Sequence, residues 1–572
     1  MPSDSVLRQT TLGLCSVLLL AGCAVGDASG PDQTAPSQAA SARIANPTVP
    51  PGLDVVVEDY EGSDTDIRTV TVTREDTEEI PSAFDLEVQA AVEASLEELH
   101  DQGSGPQQPL LVLNPYGTST TGLYTRFTTD GDGVLEYTVS SAGTEDFTRT
   151  AVDHDEDSGV FNGQLIGLVP GAQNAVTTTW RPEAGEPVEH TFTVTAPESE
   201  AGYPTQLERT VAGDPEQLTD GLFLLSGLYQ PGRYGFLFDN AGTMRAELPI
   251  DGHMLDRFET YGNTLVYPTD DSVLSRVDGL GRVVEIYDLG PFAMHHDFAL
   301  TDDGRALILA SDTSRESIED VLLSLDLATG EYEEVVDFTE LLAGYKDLTD
   351  PYEAPNSDGE IVDDWLHLNS VDVHDGEDSV VVSGRENSTI IKVGDVHGEP
   401  VLEYLIGVDE LWEGSGHEEA LLEKVGDFSD TGGQHTVVRH EDDTLADGQH
   451  YLSIFDNAYW RILSRDDYTG PVPEDTSTVQ GTDPEERSYI RTYLVDENER
   501  TYTQVESLEV PYSAIVSSAQ HVGDNTVVNS GQAFVLTEYD ANDEAIATYA
   551  YEGERYAYRG QKYSFDEFWY TS

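Results

Sequence analysis

Gly432-Gly433-Gln434-His435-Thr436-Val437-Val438-Arg439 opens on two glycines and runs into a short apolar strand with one histidine at its mouth. Two stretches upstream share the plan: Met294-His295-His296-Asp297-Phe298-Ala299-Leu300 and Asp364-Trp365-Leu366-His367-Leu368-Asn369-Ser370-Val371. In each, a histidine begins a β-like run that ends in a polar turn followed by a second apolar strand. The same loop-to-strand position recurs in successive units, which is how a propeller gathers residues around one axis. From about residue 215 strands dominate, and turn signals fall at 239–242, 278–281, 302–304, 329–330, 375–376 and 523–525. Grouping the strands gives repeats of roughly 45–60 residues, near the size of a four-stranded blade, so about six blades fit between 215 and 572. Self-similarity between the repeats is poor, which leaves a seven-bladed count or an eight-stranded sandwich open.

Ahead of the repeats, residues 110–196 carry short alternating runs such as Leu123-Tyr124-Thr125-Arg126-Phe127 and His190-Thr191-Phe192-Thr193-Val194-Thr195, separated by Gly and Asp turns. Without a cysteine pair this pattern predicts a small β-sandwich of immunoglobulin type. Between Pro81 and His100 the spacing of Phe84, Leu86, Val88, Val92 and Leu96 predicts one amphipathic helix. The fold class expected is therefore all-β, a six-bladed β-propeller preceded by an immunoglobulin-like sandwich. Its parts are a signal segment over 1–23, a flexible tether and short helix over 24–105, the sandwich over 106–205 and the propeller over 206–572.

Charge separates the function classes. With 28 Lys+Arg against 109 Asp+Glu the net is 28 − 109 = −81, spread along the chain, and only Lys346, Lys392, Lys424 and Lys562 are lysines. Molar salt shrinks the Debye length to roughly 3 Å and screens such self-repulsion, which reads as a halophilic protein. A hydrophobic content of 38% excludes an acidic disordered chain. A polyanion of this kind does not favour nucleic acid, whose binding rests on basic contacts to phosphate.

At the N-terminus, Thr11 to Ala21 is an apolar run too short to span a bilayer; it follows Arg8 and ends in Leu20-Ala21-Gly22-Cys23. The segment resembles a bacterial-type lipoprotein signal that leaves Cys23 as the lipidated first residue, with a plain secretory signal as the alternative. The expected location is extracytoplasmic, anchored to the outer face of the cell membrane. Residues 24–50, rich in Ala, Ser, Pro and Gln, would tether the fold. Loss of Cys15 with the signal and acylation of Cys23 leave no disulfide.

Of the 14 histidines, His100, His154, His190, His397, His440 and His450 lie in acidic polar surroundings and read as solvated. His295, His296, His367 and His435 stand at strand entrances beside apolar residues. Asn369, Arg385, Ser517 and Ser518 hold comparable edges, and if those edges converge the centre has no obvious carboxylate except Asp297 and Asp364. Several imidazoles, an amide and a guanidinium suit an oxyanion. Arginine offers a planar fork to two oxygens, and a neutral imidazole can attack sulfur or phosphorus and hold the group covalently. Metal binding is the competing use of three histidines.

His295-His296-Asp297, Asp364-Trp365-Leu366-His367-Leu368-Asn369-Ser370-Val371, Ser383-Gly384-Arg385, Gln434-His435-Thr436 and Phe455-Asp456-Asn457 fall in the order seen in arylsulfate sulfotransferases. Val112-Leu113-Asn114-Pro115-Tyr116-Gly117 likewise resembles the start of that family's β-sandwich, so the resemblance runs from about 110 to 560. It implies a six-bladed propeller that moves a sulfuryl group from a phenolic sulfate ester to a phenol. No nucleotide (PAPS) donor, cofactor or metal is implied, and transfer runs through a sulfated histidine. It further implies His435 as nucleophile, His367 and Arg385 on the sulfuryl oxygens with Asn369 in support, and His296 or His295 as acid/base. Ser517 or Ser518 would supply a small hydroxyl, and a homodimer is left open. Ser383-Gly384 before the arginine, the long insertions and the acidity depart from the family's pattern. A lipid-anchored propeller that binds a ligand or partner without catalysis, and a histidine-centred metal hydrolase, are the alternatives.

Overall fold

The computed structural model describes residues 49–571 apart from 78, 101–104, 156–158, 229–233, 253–254, 352–362, 375–377, 441, 443 and 482–484. Cys23 and the signal segment lie outside the described residues, as does most of the connection from 347 to 363.

Six sheets form the ring. Four are built from consecutive strands: Glu259–Tyr261 to Val283–Asp288, Phe292–Leu300 to Tyr332–Asp337, Leu368–His374 to Val401–Ile406, and His435–His440 to Thr501–Pro511. Each has an antiparallel meander of four strands, and the central strands, such as Arg305–Asp312, Val321–Asp326 and Ser379–Gly384, are almost wholly buried between neighbouring blades. The remaining two close the circle across the chain. Gly560–Tyr563 pairs with Leu222–Ser226 to become the innermost strand of the first blade, and Glu208–Ala212 is added as the outer strand beside Ala545–Ala550 of the last. Closure of both kinds removes the free edges that an open sheet would present.

The β-sandwich has two five-stranded sheets. One contains Leu53–Asp59 and Ile67–Arg74, which form an antiparallel hairpin joined in parallel to Leu110–Leu113. Within 24–105, read as a flexible tether and short helix, residues 53–74 form this hairpin instead of tether. Val55, Val57 and Val72 give that hairpin an apolar side, and Leu53 and Val72 pack under the helix Leu86–His100, whose Val88, Ala91, Val92 and Leu96 form its buried stripe. The other sheet takes in Tyr570–Thr571 against Phe147–Ala151, so the end of the segment read as pure propeller belongs to the sandwich. Leu111, Phe127 and Trp180 of the sandwich share one buried cluster with Leu222, Leu237 and Phe565 of the ring.

His450 is not solvated as its sequence context suggested. Its side chain is fully buried, with Nε2 3.1 Å from the hydroxyl of Tyr404.

Candidate active site

The innermost strands of neighbouring blades carry the histidines to the axis, each through a break in pairing. Register shifts lie between Met294 and Phe298, between Leu368 and Ser370, and between His435 and Val438. Bulges re-aim side chains at sheet rims. His296, His367 and Thr436 take left-handed φ values of +54°, +52° and +52°. Side chains rarely adopt that region, and its cost of order 1 kcal/mol or more persists only where the surroundings enforce it.

The loop before His367 is enforced by aromatic packing. Trp365 is wholly buried, stands 6.2 Å from Tyr345, and donates from Nε1 to Oδ2 of Asp320 at 2.9 Å. Tyr345 lies 4.4 Å from Trp412. Aromatic pairs of this type add about 0.5–1.5 kcal/mol beyond burial. The Asp320 contact also stitches the Asp364–His367 loop to the neighbouring segment that bears Glu319.

His435 is 3% exposed. Its Nδ1 faces two acceptors, Oδ1 of Asn457 at 2.7 Å and the carbonyl of Gly433 at 3.1 Å. Asn457 cannot turn its amide over, because Nδ2 already donates to the carbonyls of Ser513 and Val516 at 2.7 and 2.9 Å. Nδ1 therefore carries the proton and Nε2 keeps its lone pair. Burial holds His435 well below the usual imidazole range, and the charge of Arg385 adds to this. A neutral imidazole with a free Nε2 is a nucleophile at neutral pH.

His367 has the opposite electrostatics. Burial opposes a charge, but Asp364 and Glu319 outweigh it and push the ring up to about 10. Nδ1 lies 2.6 Å from Oδ2 of Asp364 and 2.8 Å from Oε2 of Glu319, which leaves Nε2 as the edge free for a ligand. His296 stands between these two environments. Its ring is 5.1 Å from that of His367 and stacks on Tyr558 at 4.8 Å, while the same tyrosine meets His435 edge-on at 5.8 Å. Arg385 is half-buried and within electrostatic reach of both His367 and His435.

The structure thus gathers His296, His367, His435 and Arg385 and sets the other expected residues back. His295 bonds Ser311 Oγ through Nε2 at 2.6 Å and stands behind Glu319. Asn369 donates from Nδ2 to the carbonyl of Gln434 at 2.8 Å, a seam between blades. Ser517 Oγ bonds Ser513 Oγ at 2.9 Å and Ser518 Oγ bonds the carbonyl of Gly560 at 3.0 Å, so both hydroxyls are spent inside the fold. Asp297 is bound to Arg559 at 2.7 Å and Arg257 at 3.2 Å, with its Oδ2 accepting from the Val371 amide at 2.9 Å. It serves as a structural hub below the histidines.

Three residues at the site escaped the sequence reading: Glu319, Tyr558 and, as the partner of His435, Asn457. Among the described residues, His296, Glu319 and His367 are the set whose ligand atoms lie close enough for a divalent ion, all within 4.8 Å. Nδ1 of His367 also lies 2.6 Å from Oδ2 of Asp364.

Residues 208–566 match the arylsulfotransferase (ASST) family, and residues 110–197 match the arylsulfotransferase Ig-like domain. The chain belongs to the arylsulfotransferase family. Membership supports a sulfotransferase that acts on small molecules. No curated protein matches the chain. Among solved structures it is similar to the periplasmic gluconolactonase PpgL of Pseudomonas aeruginosa (9% identity, TM-score 0.31, covering 74% of this chain and 97% of that one). BamB from Moraxella catarrhalis shares 13% identity at a TM-score of 0.30, covering 61% of this arylsulfotransferase chain and 92% of its own.

Proposed function

We propose that the protein is an aryl-sulfate sulfotransferase working by a ping-pong reaction through a sulfated histidine, without a nucleotide donor. The observation that carries this reading is the pairing of a neutral His435, its Nε2 lone pair free, with a charged His367 and Arg385 beside it. In the first half, Nε2 of His435 attacks sulfur. An N–S bond forms, the S–O bond to the aryl group breaks, and the electron pair leaves on the aryl oxygen, which takes a proton from His296. In the second half, a phenol returns a proton to His296 as its oxygen attacks sulfur, and the N–S pair reverts to Nε2. Arg385 and the free edge of His367 hold the equatorial oxygens, where charge resides throughout.

The test is His435→Asn, assayed for transfer from 4-nitrophenyl sulfate to phenol in molar salt. Transfer is expected to vanish, and a sulfated histidine is expected by mass spectrometry of the wild type after brief exposure to donor. Equal turnover in variant and wild type would end the assignment. A non-catalytic binding propeller has no observation of its own in its favour.

Export and lipid anchoring through Cys23 belong to the same proposal. They rest on Leu20-Ala21-Gly22-Cys23. Loss of membrane association in Cys23→Ser is the expected result.

A further inference from the structure

Glu319 has no role in the scheme above, yet its surroundings are unusual. The side chain is 2% exposed and its backbone is held at φ +58°. That conformation is fixed at both ends of the peptide unit: the amide donates to Ser311 Oγ at 2.7 Å, and the carbonyl accepts from the Leu368 amide at 3.1 Å. The carboxylate then meets three imidazoles. Oε2 lies 2.8 Å from Nδ1 of His367 and 3.4 Å from Nε2 of His296, and Oε1 lies 3.6 Å from Nδ1 of His295. Among the described residues no arginine or lysine forms an ion pair with it. A carboxylate removed from water costs several kcal/mol unless a partner carries the opposite charge, and here only imidazoles are placed to do so.

The contact with His296 differs in kind from that with a bonded partner. Nε2 of His296 is buried and lies 3.4 Å from Oε2 of Glu319, longer than the 2.8 Å that separates the same oxygen from Nδ1 of His367. At 3.4 Å the carboxylate acts on the His296 ring mainly through its field. The neighbouring charges are Asp364, which shares Nδ1 of His367 with Glu319, and Arg385, whose charge reaches both His367 and His435; the stacked Tyr558 is held neutral by burial.

We propose that Glu319 is a positioning residue for the transfer reaction, a carboxylate that fixes His367 as the cation gripping the sulfuryl oxygens and balances the charge on His296 when that ring exchanges a proton with the phenolic oxygen. The proposal rests on the transfer reading of the same site. It assigns Glu319 no bond to substrate: the proton moves between Nε2 of His296 and the aryl oxygen, and the carboxylate stays ionised throughout.

The experiment uses the full chain in molar salt with Glu319→Gln and Glu319→Asp. For phenyl sulfate, whose leaving group needs the proton, Glu319→Gln is expected to lower kcat/KM at least about tenfold more than for 4-nitrophenyl sulfate, within the range that a lost acid-base contribution spans. Glu319→Asp is expected to recover part of that gap. An equal fall for both donors would reduce Glu319 to a structural role and overturn the proposal. An activity-independent arm follows the His367 ring by nitrogen-15 NMR: it is expected as imidazolium at pH 8 in the wild type, with its titration midpoint at least about one pH unit lower in Glu319→Gln. A neutral ring in the wild type, or an unmoved midpoint, would also overturn it. A wild type that transfers nothing sinks the transfer reading alone, because the NMR arm still decides the charge role. If Glu319→Gln does not fold, Glu319→Asp and the wild-type titration decide.

Discussion

Oδ1 of Asn457 stands 2.7 Å from Nδ1 of His435, and the amide behind it is pinned by the carbonyls of Ser513 and Val516. The pair sets which nitrogen of the histidine is free, and it does so without a charge, so the ring remains neutral. Asn457→Ala removes the acceptor that fixes this tautomer. The expected result is a fall in kcat/KM of about tenfold to a hundredfold, that is about 1.4–2.7 kcal/mol, together with a lower melting temperature, because the buried carbonyls of Ser513 and Val516 lose their donor. An unchanged rate constant would detach Asn457 from the chemistry.

The pH dependence follows from two shifts of opposite sign. His435 is lowered by burial and Arg385, so it is already neutral well below the ordinary imidazole range, whereas His367 loses its proton only near about 10. For the donor half-reaction, kcat/KM is expected to stay level through neutral pH and to fall as pH rises through about 10. The same raised value makes His367 stabilising below its unfolded value of about 6.5, a contribution lost as pH climbs through about 10. A basic limb centred near 7 would contradict the assignment.

Glu386 is a buried carboxyl that accepts from the amides of Leu463 and Ser464. Burial pushes it up to about 7 against the pull of Arg385. Its neutral form is the favoured one, so its contribution to stability is complete at acid pH and is lost as pH rises through about 7. Glu386→Gln keeps an acceptor for both amides and never ionises. Calorimetry at pH 8 is expected to show a melting temperature about 1–3 °C above wild type, with no gain at pH 5.

Lys562 on the closing strand Gly560–Tyr563 is buried against Glu538 at 2.7 Å, and it also donates to the carbonyl of Thr219 and to Oδ1 of Asn240. Removing one partner of such a pair leaves a stranded charge and costs roughly 3–5 kcal/mol. Lys562→Met is expected to lower the unfolding midpoint sharply, and the double variant with Glu538→Gln to recover most of the loss.

All four lysines are committed to ion pairs, with Asp363, Glu403 and Glu497, Asp430 and Glu538. With every lysine and arginine already counted, the chain still carries a net of −81. Screening tightens from roughly 10 Å at 0.1 M salt to roughly 3 Å at 1 M, so the melting temperature is expected to rise steeply with potassium chloride. A flat response would dispose of the halophilic reading.

The strand-mouth histidines were legible because each is followed by an apolar run, and the same offset in three blades survives weak repeat similarity. Glu319 was not. It lies in Arg315-Glu316-Ser317-Ile318-Glu319-Asp320, one acid among many in an acidic chain, and only its burial and left-handed backbone set it apart. Tyr558 fared alike, since Tyr556-Ala557-Tyr558 carries no local periodicity and its role comes from two rings more than 100 residues away. Asn457 could be matched to a motif, but its function depends on which way an amide faces. The hairpin 53–74 did carry a signal, in the valines of Leu53-Asp54-Val55-Val56-Val57, but the low-complexity composition of 24–50 was extended over it.

The closing strand also constrains the order of assembly. Leu222 and Tyr563, paired in one sheet, are 563 − 222 = 341 positions apart. A growing polypeptide must keep the first blade incomplete until five more have been made, and the sandwich likewise waits for Tyr570 and Thr571. Arg559 and Tyr558, which precede the closing strand and touch Asp297, Asn369 and the rings of His296 and His435, reach those partners with that final clasp, so an abortive or clipped product would retain most of its sheets and lose this support of the histidine cluster.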